Sequence, residues 1–325
     1  MKKIFLYSTF ILMIYSCQND SVVTDNSSVN TTTKRICASQ DVLNEQMIED
    51  PTLAIRMNEI EAFTQKNQFL SSSRLVAGKI VIPVVVNVLY RTSSENISDT
   101  QIQSQIDVLN KDFTAQNTDI SSVPSIFSGV TADASVNGID ITFELVKINR
   151  KSTTKTSWGT RDAMKKTKQG GLDPTSPTTN LNLWVCTIGG GILGYAQFPG
   201  GSSATDGVVC DSKYFGVTSN TSGAYPYNLG RTATHEVGHW MNLRHIWGDT
   251  TCGSDLVSDT PTHDSANFGV PTYPHLSTCT GTPIEMTMNY MDYTDDRGMY
   301  MFTLGQKSRM AALFVSGGVR SGFRN

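Results

Sequence analysis

The sequence predicts an α+β chain: strands and amphipathic helices first, then a loop-rich C-terminal part. Three observations point there. β-branched runs recur at residues 80–90, 139–148, 181–187 and 206–210. Apolar residues fall at helical spacing within 36–70, 98–113, 229–243 and 304–314. The stretch between the last two helical patterns is crowded with Gly, Pro, Asn, Asp and Ser. At 325 residues, 38% hydrophobic and 17% charged, the chain can bury one large core, with or without an appendage. A formal net charge of −3 gives no electrostatic case for nucleic acid.

In chain order, Lys2 and Lys3 precede the apolar run 4–15, which is too short to span a membrane comfortably and reads as an export signal over residues 1–16. Ser16-Cys17 has the form of a lipoprotein processing site. Cys17 is then the lipidated first residue and the sole membrane attachment; if the Cys is incidental, the chain is simply secreted. The polar residues 17–34 read as a flexible tether. Helices follow over Asp41–Glu49 and Leu53–Phe63, up to the exposed-looking joint Ser71-Ser72-Ser73-Arg74, a natural site for nicking. That places a boundary between a segment 35–74 and a main domain 75–325.

Ile80–Tyr90 suits a buried strand, with Pro83 disturbing its pairing near the start. Ser98 and Gln101 form a capping-box pair ahead of the stripe Ile102, Ile106, Leu109, Phe113. The basic residues between Lys147 and Lys168 sit among Ser, Thr and Gly and read as a solvated loop. Gly189-Gly190-Gly191 is no phosphate loop, since no Lys-Ser/Thr follows. Five cysteines remain after Cys17, an odd number that leaves at least one thiol unpaired within the chain. Cys186 and Cys210 both end strand runs, as a disulfide or as two small buried hydrophobes.

The chemistry concentrates at Thr234-His235-Glu236-Val237-Gly238-His239-Trp240-Met241-Asn242-Leu243-Arg244-His245. At 3.6 residues per turn His235 and His239 share a helix face and can hold one ion. Glu236 is too far around the helix to be a third ligand, but can reach a water in the open coordination position as general base. His245 reaches the same ion only if the chain turns sharply, and Asn242 is the pivot, Asn being the non-Gly residue best tolerated in the left-handed conformation. The opposing reading is a helix with incidental histidines, and the third His makes that the weaker account.

HEVGHWMNLRH resembles the zinc signature of the metzincin metallopeptidases. The sequence beyond it is similar to the pappalysin family, and within it to the cytophagalysin and ulilysin-like enzymes: Trp247-Gly248-Asp249, Asp255 to Pro261, Met288 to Tyr293, Met301 to Gln306, and Arg309-Met310. The resemblance reaches back to about residue 36. It implies a twisted mixed sheet with the active-site helix, an irregular C-terminal subdomain, a small helical pro-segment, and a zinc-dependent endopeptidase acting on proteins or peptides.

It also implies roles. Met291 is the Met-turn floor beneath the zinc, and Tyr293 turns its phenol toward the oxyanion. Cys37 is a thiolate zinc ligand in a latent form, although Ala38 stands where the family pattern has Gly. Cys252 and Cys279 pair, and a second family bridge is missing at Val270 and Gly298 together. Asp255, Asp259 and Thr260 suit calcium, or serve as turn and cap residues. Gly194 and Tyr195 lie on an edge strand that binds extended substrate by strand addition. Asp295 and Asp296 favour Arg or Lys after the scissile bond, or are exposed turn carboxylates. The rival to the enzyme is a non-catalytic lipoprotein that binds peptides or surfaces on the same scaffold; it requires Asn242 to misplace His245.

Overall fold

A computed structural model describes residues 34–68, 79–132, 140–220 and 222–323. The export signal, Cys17, the tether up to residue 33 and the joint at Ser73-Arg74 lie outside them. Two helices come first, α1 (Ser39–Glu49) and α2 (Thr52–Asn67). Next come β1 (Lys79–Tyr90), α3 (Asp99–Phe113), β2 (Asp140–Ser152), β3 (Leu181–Cys186), β4 (Gly194–Ala196), β5 (Val208–Asp211), α4 (Arg231–Trp240) and α5 (Leu304–Ala312). No helix among the described residues is long and apolar enough to cross a membrane.

The five strands form one mixed sheet in the order β2-β1-β3-β5-β4. All pairs are parallel except β4, which runs antiparallel to β5 along the outer edge. The register between β1 and β2 slips between Val84 and Val85, one step past Pro83, whose ring removes a backbone donor. Alternation of side chains divides the strands between two apolar layers. Ile80, Ile82, Val84, Leu183, Val185, Val208 and Cys210 face α3 and α4, whereas Trp184, Cys186, Tyr195 and Val209 pack with Trp158, Met164 and Val42 on the other side. Cys186 and Cys210 therefore point to opposite faces, and both remain free, buried thiols. Of their two readings, small buried hydrophobes is the one observed.

The Ser98 hydroxyl accepts from Gln101 N at 3.1 Å, but the Gln101 amide is drawn to Phe215 O instead of returning to Ser98. Only half the expected box forms. A complete one opens α5, between Thr303 and Gln306.

Beyond α4 the chain is mostly loop, stapled by the Cys252–Cys279 disulfide. Val270 and Gly298 are neighbours, since a Cβ on Gly298 would stand 3.3 Å from Val270 Cγ2. The two positions at which the resemblance places a second bridge thus lie side by side. Asp259 accepts from Thr303 Oγ1 at 2.6 Å and Gly305 N at 2.7 Å, so it caps α5. Asp255 accepts from Val257 N and from the Thr260 hydroxyl, closing a turn. These oxygens are used in capping and turning, and the expectation of calcium at Asp255, Asp259 and Thr260 gains no support.

Candidate active site

The site lies where α4 passes the edge strand. Its ten residues are all buried, so the imidazoles of His235 and His239 work in a dry setting. The helix stops at Trp240 because Asn242 takes φ = 69°, and that turn brings His245 back. His239 Nε2 stands 3.1 Å from His235 Nε2 and 3.1 Å from His245 Nε2. The misplacement that the rival reading requires does not occur.

Each ring is fixed from behind. His235 Nδ1 donates to Tyr290 O at 2.7 Å, His239 Nδ1 donates to Leu243 O at 2.8 Å, and His245 Nδ1 bonds to the Asp249 carboxylate. With the proton held on Nδ1, all three Nε2 lone pairs converge, which is the donor set a zinc-type ion requires. Burial, reinforced by the neighbouring rings, pushes His235 well below the usual imidazole range, and burial pushes His239 to about 3. Both are neutral ligands at any ordinary pH. For Asp249 burial pushes the carboxyl up, but the bond and charge of His245, joined by His239 and Arg244, together hold it below its ordinary value. Trp247 stacks on His245 with centroids 4.4 Å apart and the planes 8° from parallel.

The fourth corner is Cys37. Its sulfur and the three histidine nitrogens all lie within 4.8 Å of one another. Cys37 Sγ donates to Glu236 Oε2 at 3.3 Å, and burial, followed by the Glu236 charge, raises the thiol pKa. A cation among the histidines reverses that preference, because a coordinating sulfur is deprotonated. Burial lifts Glu236 to about 7, against the opposing pull of hydrogen bonds from Ser39 and Cys37.

Ser39 was silent in the sequence. Its hydroxyl donates to Glu236 Oε2 at 2.7 Å and accepts from Ala196 N, on the edge strand, at 2.8 Å. The chain before it adds to the same edge. Leu193 N donates to Ile36 O and Ala38 N donates to Gly194 O, giving a parallel bridge between Cys37 and Gly194. Tyr293 donates its phenol to Cys37 O at 3.2 Å. Arg35, at the head of this stretch, sends a guanidinium nitrogen to Asp296 Oδ1 at 2.5 Å, with both side chains buried.

The remaining predicted residues divide. Gly194 lies against the carboxylate: a Cβ there would stand 2.9 Å from Glu236 Cγ. Tyr195 offers the cleft nothing beyond its backbone. Alternation turns its ring to the far layer, where its hydroxyl donates to Asp162 at 2.9 Å. Asp296 faces Arg35, while Asp295, 9% exposed, makes a backbone bond to Gly269 O. Met291 is fully buried beneath α4, where a Cβ on Gly238 would fall 2.5 Å from its sulfur.

Three histidines converging on one point, with a carboxylate beside them and a sheet edge that accepts an added segment alongside, define a metal-dependent hydrolase of extended chains. A family model described as "Pregnancy-associated plasma protein-A", peptidase family M43, matches residues 185–315. An extracellular metalloprotease of Pyricularia oryzae is 32% identical over 284 residues, 84% of this chain and 86% of that one. One from Arthroderma benhamiae is 29% identical, over 80% of this chain and 87% of that one. Among solved structures, mature mirolysin of Tannerella forsythia with a cleaved peptide superposes with TM-score 0.71 at 43% identity, covering 76% of this chain and 96% of that one. A promirolysin variant from the same organism gives TM-score 0.78 at 40% identity, covering 89% and 97%. This chain belongs to the M43 (pappalysin) family and is a metalloprotease with a mirolysin-like fold.

Proposed function

We propose that the protein is an exported, zinc-dependent endopeptidase made as a zymogen, with residues 35–74 as pro-segment and 75–325 as catalytic domain. The observation that carries this reading is the path of Arg35 to Ser39 through the site. One short stretch meets the acidic pocket, the three-histidine cage, the phenol, the carboxylate and the sheet edge in turn. It makes the contacts a substrate backbone needs, but lies parallel to the edge with a sulfur, not a peptide carbonyl, at the cage.

In the active form His235, His239 and His245 hold the metal, and Cys37 holds the fourth position only in the zymogen. A zinc ion bound there supplies the Lewis acid that polarises the scissile carbonyl and acidifies the attacking water. Glu236 takes the proton of that water and later delivers it to the leaving amine. Its raised pKa suits both steps, since a base near neutrality also serves as an acid. Tyr293, whose phenol already holds a backbone carbonyl oxygen, donates to the developing oxyanion. Asp296, buried and paired with a guanidinium, favours Arg or Lys after the scissile bond by a charge-assisted contact. Export is supported by the signal-like residues 1–16 and by the extracellular metalloproteases among the relatives; Cys17 is the candidate lipid anchor.

The test is incubation of the chain from residue 18 onward, with and without a chelator, with new N-termini read by mass spectrometry. The expected result is a chelator-blocked cut at Ser73-Arg74, reduced roughly 10²–10⁴-fold in a Glu236→Gln variant that still binds zinc. If the chain stays intact, a trypsin-trimmed sample assayed on a peptide library takes over. Silence there with zinc bound would overturn the peptidase assignment.

A further inference from the structure

Phe198 follows the edge strand, 4% exposed, with its ring centroid 5.3 Å from that of His239. Its apolar cluster contains Leu43 and Leu53, with Met47 and Met57 packed against them, all from α1 and α2. Two residues on, Gly200 forms a bare backbone floor at φ = 100°, where a Cβ would stand 3.1 Å from Ile60 Cδ1 and 3.6 Å from Leu53 Cδ1. A large aromatic ring on the cleft wall is thus covered by aliphatic side chains of the pro-segment, and the floor beside it is left low enough to admit them. Once that segment departs, Phe198 and the Gly200 floor become an apolar recess beside a metal ligand.

The order of contacts places this recess relative to the scissile bond. Arg35 lies at Asp296, Cys37 at the histidines, Ser39 at Ala196, and Leu43 and Leu53 at Phe198. Asp296 and Phe198 are therefore on opposite sides of the metal. Resting on the endopeptidase reading above, in which Asp296 receives the residue after the cut, we propose that Phe198 and Gly200 form a subsite for a large aliphatic or aromatic side chain two or three residues before it. The enzyme then reads two features at once, an apolar residue upstream and a basic one downstream, in the chemistry its own pro-segment presents to the same walls. Burying such a side chain raises kcat/KM about 10-fold or more if the contact is kept in the transition state.

The test uses the full chain trimmed by limited trypsin digestion, with two peptide series that keep Arg after the cut. One carries Leu, Phe or Met at the second or third position before it; the other carries Ser or Asp there. The expected result is a preference of about 10-fold for the apolar series, lost in Phe198→Ser and largely kept in Phe198→Leu, with the requirement for Arg unchanged in all three. Equal cutting of both series by the unaltered enzyme overturns the subsite and leaves the peptidase standing. Preference that survives in Phe198→Ser, with zinc content unchanged, overturns the assignment to this ring. An enzyme that cuts neither series overturns the endopeptidase reading and this subsite with it.

Discussion

The two ends of the N-terminal helical segment grip the rest of the chain by different physics. At the front, Arg35 to Ser39 thread the cleft through largely buried polar contacts, each made to a group that the proposed chemistry uses: Asp296, Glu236, Tyr293 and the edge amides. Behind them, α1 and α2 lie on the outer wall through the cluster at Phe198, the Glu61–Arg309 pair, and the Arg56 guanidinium, which donates to Gly200 O at 2.7 Å. Buried polar contacts are costly to break one at a time, whereas a pair whose carboxylate stays within reach of solvent, as Glu61 does, adds less. On the zymogen reading proposed above, the front sets whether the enzyme is silent and the back sets how long the segment stays.

Three substitutions probe that division, in descending size of effect. Arg35→Ala strips a buried carboxylate of its partner, and truncating one member of such a pair costs on the order of 2–5 kcal/mol. Activity without cleavage of the segment should then rise at least about tenfold in a peptide assay. Ser39→Ala removes the donor to Glu236 and the acceptor for Ala196 N together, roughly 1–3 kcal/mol, and should give a smaller leak in the same assay. Glu61→Gln should alter retention of the cut segment, not latency, by about 1 kcal/mol, measured as its dissociation rate after nicking. Arg309 holds the Glu61 carboxyl below its ordinary value despite burial. Its contribution is therefore complete above the ordinary carboxylate range and is lost as pH falls through the lowered value. The Gln variant should show no such acid sensitivity. If Arg35→Ala stays silent while Glu61→Gln leaks, the division is reversed.

Much of this molecule was legible in its sequence, for identifiable reasons. The three histidines and Glu236 sit within eleven consecutive positions, so helix geometry and one pivot residue suffice to bring them together. The strands announced themselves by β-branched runs, and the Asn242 turn by the chemistry of that residue. Asp249 offered a local signal, a carboxylate four residues past the last histidine, and went unused. Ser39 and Phe198 offered none. Their partners are 197 residues away for the Ser39–Glu236 bond and more than a hundred for Phe198 with Leu43, and no local pattern encodes contacts at that range. Tyr195 lies on the edge strand, where alternation turns its ring to the other face and leaves only its backbone at the edge.

The clearance between Gly238 and Met291 has a consequence of its own. Helix α4 and the turn below meet as bare backbone against a thioether, with no side chain between them. Sulfur is soft and polarizable, so it can seat closely without demanding the directional fit of a hydrogen bond. Gly238 directly precedes His239, and Met291 accepts a bond through its carbonyl from the amide of Ile246, the residue after His245. One contact therefore gauges the position of two ligands at once. A methyl group at residue 238 would act as a shim, lifting one wall of the cage relative to the other, and ligand spacing would change before any element of secondary structure did.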